Sequence, residues 1–205
     1  MTTIDPTSTS APEGTTSDAP DGVRTDTGRT DTVRTDVVPT THDLRLVQVP
    51  FDDPRAARLR DDMDREMTAR YRDPGVEEPA ELVAAREAAL RLSAEHVVAT
   101  LLVLDHDDRV LGHAAVRRRG DDWEVKRVVV VDGQRGRGIG RRLMAEVERL
   151  ARAAGQRRLV LQTGARQPDA VALYEKIGYV RIPLIPEYAA TMPASFMYEK
   201  VLDRA

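Results

Sequence analysis

Apolar and polar residues alternate over residues 44–49, and that period of two predicts a first strand. Asp53 and Pro54 then supply a cap and a first-turn proline. Leu59, Met63, Met67 and Tyr71 recur at helical spacing until Asp73-Pro74-Gly75 stops the helix. Pro79 opens a second predicted helix with Leu82, Ala85, Ala89 and Leu92 on one face. Residues 97–104 and 110–116 read as strands around Asp105-His106-Asp107-Asp108-Arg109, a hairpin by composition. A further strand over 123–131 ends in four consecutive valines, Val128 to Val131, a run expected to be buried. Period two places Glu124, Lys126, Val128 and Val130 on one face of it if no bulge intervenes. The next helix carries Ile139, Leu143, Val147 and Leu150 on one face and stops at Gly155. Residues 159–162 form another strand, Pro168 opens a short helix that Gly178 ends, and residues 196–202 close the chain as a strand.

A strand feeding a turn rich in Gly and Arg that opens a helix is an anion cradle. The first N–H groups of the helix lack partners within it, and its dipole adds partial positive charge. Glycines admit an anion close to the backbone, and Arg135, Arg137, Arg141 and Arg142 supply charge suited to phosphate. A P-loop requires Lys then Ser or Thr after its last glycine, whereas Ile139 and Gly140 follow Gly138. The dinucleotide fingerprint spaces its last two glycines three apart, whereas here glycines alternate at 136, 138 and 140. What remains is R-x-x-G-x-G, filled by Arg135, Gly138 and Gly140. It resembles the acetyl-CoA pyrophosphate loop of the GNAT superfamily of N-acetyltransferases.

Ala170 to Tyr179, A-x-x-L-Y-E-K-x-G-Y, resembles the second GNAT signature at the usual helix-and-strand distance. Glu124-Val125-Lys126-Arg127, Arg166-Gln167-Pro168, Glu187-Tyr188 and Glu199-Lys200 are similar to a bacterial, largely uncharacterised subgroup of that superfamily. The resemblance covers about residues 44–202. It implies an α/β fold, a mixed and mainly antiparallel sheet of six or seven strands flanked by about four helices. The strands are expected to splay where 128–130 and 159–162 part, with pantetheine entering the gap. Acetyl-CoA is then the implied co-substrate. Its pyrophosphate falls to Gln134, Arg135, Gly136, Arg137, Gly138, Ile139, Gly140 and Arg141, and its pantetheine arm to the backbones of Val128 and Val130. Gln167 stands where many members carry Asn, and Asp132-Gly133 replaces the more usual Pro and acid.

The same resemblance assigns chemistry. An amine must be neutral to attack a thioester, and a carboxylate can take its proton. Glu124 lies four residues before Val128, where many GNAT enzymes place that base; the alternative is an exposed strand acid paired with Lys126. Tyr174 occupies the family position of the acid that protonates the leaving thiolate, and the alternative is a packing role. With no cysteine in the chain, direct transfer in a ternary complex to a primary amine, small molecule or protein, is expected rather than a thiol acyl-enzyme. A non-catalytic acyl-CoA-binding or sensor module is the competing reading.

Composition narrows the rest. The 205 residues carry a net charge of −3; residues 1–42 hold seven acids and three bases, and the remainder is nearly neutral. Bulk charge therefore argues against nucleic acid as a partner. Residues 1–42 are rich in Thr, Ser, Asp, Pro and Gly, with Arg-Thr-Asp recurring at Arg24, Arg29 and Arg34. They read as a disordered leader or a tether, ahead of one domain over 43–205. No basic segment with an apolar run opens the chain and no long apolar stretch occurs, so a cytoplasmic protein without a membrane partner is expected. His106 and His113 lack partners at ligand spacing, and no metal is expected. Arg117-Arg118-Arg119 reads as a solvated strand end, and Asp61, Asp62 and Asp64 as a solvated face or an attractor of amines. A homodimer is a family expectation.

Overall fold

Seven strands and five helices lie within residues 44–203, the part of the chain that the computed structural model describes. The leader expected over 1–42 falls outside those residues. The order is β1 (Arg45–Val49), α1 (Pro54–Tyr71), α2 (Ala80–Leu90), β2 (Val97–Leu104), β3 (Val110–Arg119), β4 (Asp122–Val130), α3 (Ile139–Ala153), β5 (Arg158–Gly164), α4 (Pro168–Lys176), β6 (Val180–Ile182), α5 (Pro186–Thr191) and β7 (Ser195–Val201). One sheet runs β1-β2-β3-β4-β5-β7-β6. Its pairs are antiparallel except β4 with β5. This is the mixed, mainly antiparallel sheet expected from the sequence. Among the described residues, no helix is long and apolar enough to cross a membrane.

Helices cover both faces, so the central strands read as solid apolar runs and yet divide their side chains by period two. In β2, Leu101 and Val103 join the core under α3, whereas Leu102 and Leu104 pack with Ala56 of α1. The buried stripe of α3 holds Ile139, Leu143 and Val147 as its spacing predicts, joined by Met144 and Ala151, while Leu150 is half-buried at its edge. Each large member contributes about 1.5–3 kcal/mol by leaving water. On the opposite face, Ala89, Val160, Tyr188 and Met197 form a second cluster beneath α2 and α5.

Three details depart from the pattern-based reading. The buried positions of α1 are Ala56 and Arg60, while Tyr71 stands 37% exposed. α2 buries Ala89 and leaves Ala85 exposed. β6 and α5 went unpredicted because three and six residues are too few to show a period.

The fourth departure shapes the site. Ala115 of β3 faces Lys126 and His113 faces Val129, so two steps on β3 oppose three on β4. That is a β-bulge, and Arg127 within it takes φ +53°. The bulge breaks the expected common face. Val125, Val128 and Val130 lie on the α3 side, whereas Glu124 and Lys126 lie on the side of α5, against Tyr188.

Candidate active site

β4 and β5 pair only at Trp123–Leu159, Glu124–Val160 and Val125–Leu161. Beyond these pairs β4 follows β3 to Val130 and β5 follows β7 to Gly164. The gap therefore opens after Leu161, so the expected parting over 159–162 moves two to three residues along β5. The Val131 N–H donates to the Leu111 carbonyl of the β3 side at 3.0 Å. Alternation then turns the backbone groups of Val130 and Val128 away from β3, toward the gap. Val128 to Val131 are half-buried rather than buried, because the neighbouring strand has left them.

At the end of β4 the glycine turn closes with the Gln134 N–H on the Val131 carbonyl, 3.0 Å. Gly138 is the N-cap of α3 at φ +77°, a left-handed conformation that a Cβ would strain. The first helical bond runs from the Arg142 N–H to the Gly138 carbonyl, so the N–H groups of Ile139, Gly140 and Arg141 precede it. No acid occupies this first turn. The side chain of Ile139 is in the core, leaving its backbone N–H as the group it can offer an anion. Arg137 donates to the Gln134 side chain. Arg135 lies among Asp132 at 3.1 Å, Asp169 at 3.6 Å and Glu66 at 3.9 Å, which joins the turn to α4 and α1.

Across the gap, β5 ends at Gly164. A Cβ there would stand 1.9 Å from the Tyr71 hydroxyl, so glycine is what lets the end of α1 lie over β5. That hydroxyl accepts from the Arg166 N–H at 3.0 Å and from Gln167 Nε2 at 3.5 Å. Arg166 returns the contact, donating to the Arg70 carbonyl at 3.0 Å and to Asp73 at 2.6 Å. Gln167 is the N-cap residue of α4. Tyr174, on that helix, is 6% exposed and packs against the rings of Tyr179 and Tyr198, 6.0 and 6.2 Å between centroids. Burial pushes its phenol pKa well above the ordinary tyrosine range.

Glu124 is fully buried, which corrects the alternative of an exposed strand acid. Its Oε2 accepts from Arg117 Nε at 2.9 Å, its Oε1 accepts from the Tyr188 hydroxyl, and Lys126 Nζ stands 3.6 Å away. Lys126 Nζ donates to the Tyr188 oxygen at 3.2 Å. Burial alone would push the Glu124 carboxyl up. The charges of Lys126 and Arg117 and the bonds from Tyr188 and Arg117 outweigh it, and the net shift is down. Burial pushes Lys126 down to about 8, against the pull of Glu124. Arg117 is buried too, a correction to the solvated strand end. It also donates to the carbonyls of Arg91 at 2.6 Å and Ala89 at 3.0 Å, capping the C-terminus of α2.

Sequence reasoning passed over Arg117, Lys126, Tyr188 and Tyr71 as site residues. Pro186 ahead of Glu187-Tyr188 was a readable helix start, and the Glu-x-Lys spacing hinted at a shared face. Asp64 pairs with Arg127 at 3.0 Å, while Asp61 and Asp62 are exposed. His113 is a buried strand histidine. His106 has closer neighbours than expected: ligand atoms of Asp105, His106 and Asp107 lie within 4.8 Å of one another. Asp105 Oδ1 is already engaged by the Asp107 and Arg109 N–H groups, the normal work of a hairpin acid.

Comparison with known proteins agrees with this architecture. The model of the Acetyltransferase (GNAT) family matches residues 57–179. An IAA acetyltransferase of Azospirillum brasilense is 44% identical over 92 residues, 44% of this chain and 59% of that protein. Matched segments span 22% to 59% of the length of the curated relatives. A Klebsiella pneumoniae protein assigned as an acyl-CoA N-acyltransferase superposes with TM-score 0.60 at 23% identity, covering 78% of this chain and 98% of that one. PaiA N-acetyltransferase of Thermoplasma acidophilum, solved with coenzyme A, gives 0.55 at 13% identity, covering 77% and 98%. With the matched region running from α1 through the glycine turn to Tyr179, the chain belongs to the GNAT acetyltransferase family.

Proposed function

We propose that this protein is an N-acetyltransferase that moves the acetyl group of acetyl-CoA to a primary amine, directly, in a ternary complex. The observation that carries this reading is the β4–β5 gap, which ends at a glycine turn and an acid-free helix N-terminus. A pantetheine arm has the width and the amide groups to fill such a gap as an added strand does. In this reading Gln134 to Arg141 hold the pyrophosphate, Val128 and Val130 bond the arm through their backbones, and Gln167 meets it from the β5 side. The domain spans residues 43–205, with 1–42 as a leader.

The amine nitrogen attacks the thioester carbon, the carbon–sulfur bond breaks, and the electron pair leaves on sulfur. A backbone N–H at Val128 or Val130 bonds the oxygen as it gains charge. Tyr174 donates to the departing thiolate; its raised pKa keeps the proton on the phenol until that charge has formed. The amine's proton passes to Glu124 through the Tyr188 hydroxyl, which already donates to Oε1.

The full engagement of Glu124 favours a second reading, a non-catalytic module that binds acetyl-CoA without a free base. Calorimetry with acetyl-CoA and a thiol-release assay over a panel of amines separate the two. Binding with turnover of any amine is the expected result, binding without turnover across the panel supports the module, and absence of binding overturns both.

A further inference from the structure

Arg127 is the joint between the two parts of β4, and its φ of +53° is costly for a residue with a Cβ. A side chain from the neighbouring strand β3 bonds its carbonyl. His113 of β3 is fully buried, and its Nδ1 lies 2.7 Å from the Arg127 carbonyl oxygen. A carbonyl only accepts, so Nδ1 carries the proton and Nε2 the lone pair. Arg60 Nη1 faces that lone pair at 3.4 Å. Arg60 is fixed in turn, since Nη2 donates to the Phe51 carbonyl at 2.7 Å and the guanidinium lies 4.3 Å above the Phe51 ring. Burial, helped by the charges of Arg60 and Arg127, pushes the His113 pKa down to about 4, so the ring stays neutral with one tautomer. The chain Phe51, Arg60, His113, Arg127 therefore runs from the start of α1, through the sheet face, to the bulge.

We propose that His113 is a positioning residue of the acetyl-CoA site. Its Nδ1–H bond to the Arg127 carbonyl holds the β4 bulge that turns the Val128 and Val130 backbone groups into the gap. The inference rests on the acetyl-CoA reading above. Without that bond the Arg127 carbonyl loses its side-chain donor, and Arg127 gains by relaxing to the extended region. Removing the extra residue of the bulge shifts the following register by one, which rotates the Val128 and Val130 amides out of the gap.

Two substitutions separate this role from packing. In Asn the amide nitrogen falls at the place of His Nδ1 and donates as it does, whereas in Gln the amide oxygen falls at the place of Nε2 and accepts as it does. His113→Asn therefore keeps the bond to Arg127 and drops the one to Arg60, and His113→Gln does the reverse. Calorimetry with coenzyme A should show His113→Gln about tenfold weaker than wild type, the worth of one buried hydrogen bond, and His113→Asn within about threefold. Thermal melts accompany both variants, because a purely structural role would weaken them alike. The ¹⁵N shifts of His113 in the wild-type chain should report the Nδ1–H tautomer. Unchanged affinity in His113→Gln, a tenfold loss in His113→Asn, or the Nε2–H tautomer overturns the inference while wild-type binding leaves the function standing. Should His113→Gln fail to fold, the Asn variant and the tautomer still decide. Wild-type protein that binds no coenzyme A overturns the proposed function instead. The tautomer and the exchange rate of the Val129 amide, faster in Gln than in Asn, then decide the pinning alone.

Discussion

The two ends of β4 invert the usual distribution of polar and apolar residues. Before the bulge, Glu124 and Lys126 are buried, paired across to β3, and closed over by Arg117 and Tyr188. After it, Val128 to Val130 stand half-exposed beside a strand that has turned away. Charge sits where the sheet is closed, and valine faces the opening. A stretch of apolar strand left without its neighbour is surface prepared for a ligand, and the ion cluster behind it keeps the closed end from opening further. The bulge at Arg127 is the boundary between these two regimes.

The largest effect should come from breaking the closed end. Glu124→Ala leaves Arg117 and Lys126 buried without their counter-charge, and urea unfolding should show a loss of about 3–5 kcal/mol. The joint comes next. An unfolded His113 takes up its proton near pH 6.5, the folded one only near pH 4. Between those values the unfolded state holds more protons, so stability falls as pH falls from 6.5 to 4, by about 3 kcal/mol, and no further below 4. His113→Asn should abolish that slope above pH 4.5, below which the lowered Glu124 carboxyl adds its own loss. Asp53, held at about 2 by Arg55, adds its own loss only below pH 3.8, outside the window. At the open end, Tyr174→Phe keeps the ring packed on Tyr179 and Tyr198, so acetyl-CoA affinity should survive while turnover falls about 10²-fold in a thiol-release assay. Arg135→Ala should weaken acetyl-CoA binding by about 1–2 kcal/mol in calorimetry, a modest loss because Asp132, Asp169 and Glu66 already share its charge. Stability unchanged in Glu124→Ala would dissolve the contrast between the two ends.

Local signals carried most of the fold. Asp53-Pro54 starts α1 as read, with Asp53 Oδ1 accepting from the N–H groups of Arg55 and Ala56. The amphipathic stripe of α3 and its stop at Gly155 were equally legible, since each is decided within a few turns of chain. The glycine turn was legible for the same reason. The bulge was not, because Arg127 takes a left-handed conformation without a glycine to announce it, and the cause is His113, fourteen residues away. Nor was the burial of Glu124, whose closest partners come from three separate elements: Arg117 of β3, its strand neighbour Lys126, and Tyr188 of the unpredicted α5. Arg60 at a core position of α1 broke the apolar pattern for a reason that lies wholly in the tertiary structure.

Between β1–β4 on one side and β5, β7 and β6 on the other, the ladder has three rungs, all at the closed end. Mechanically this is a long arm on a short weld. From Lys126 to Val130 the free arm reaches about 13 Å at the usual rise of a strand. A rotation of about 5° at the weld then carries its far end about 1 Å, a displacement on the scale that costs about 10²-fold in rate when reacting atoms are misplaced. The stiffness of Trp123, Glu124 and Val125 against Leu159, Val160 and Leu161 thereby governs the spacing at the open end of the gap.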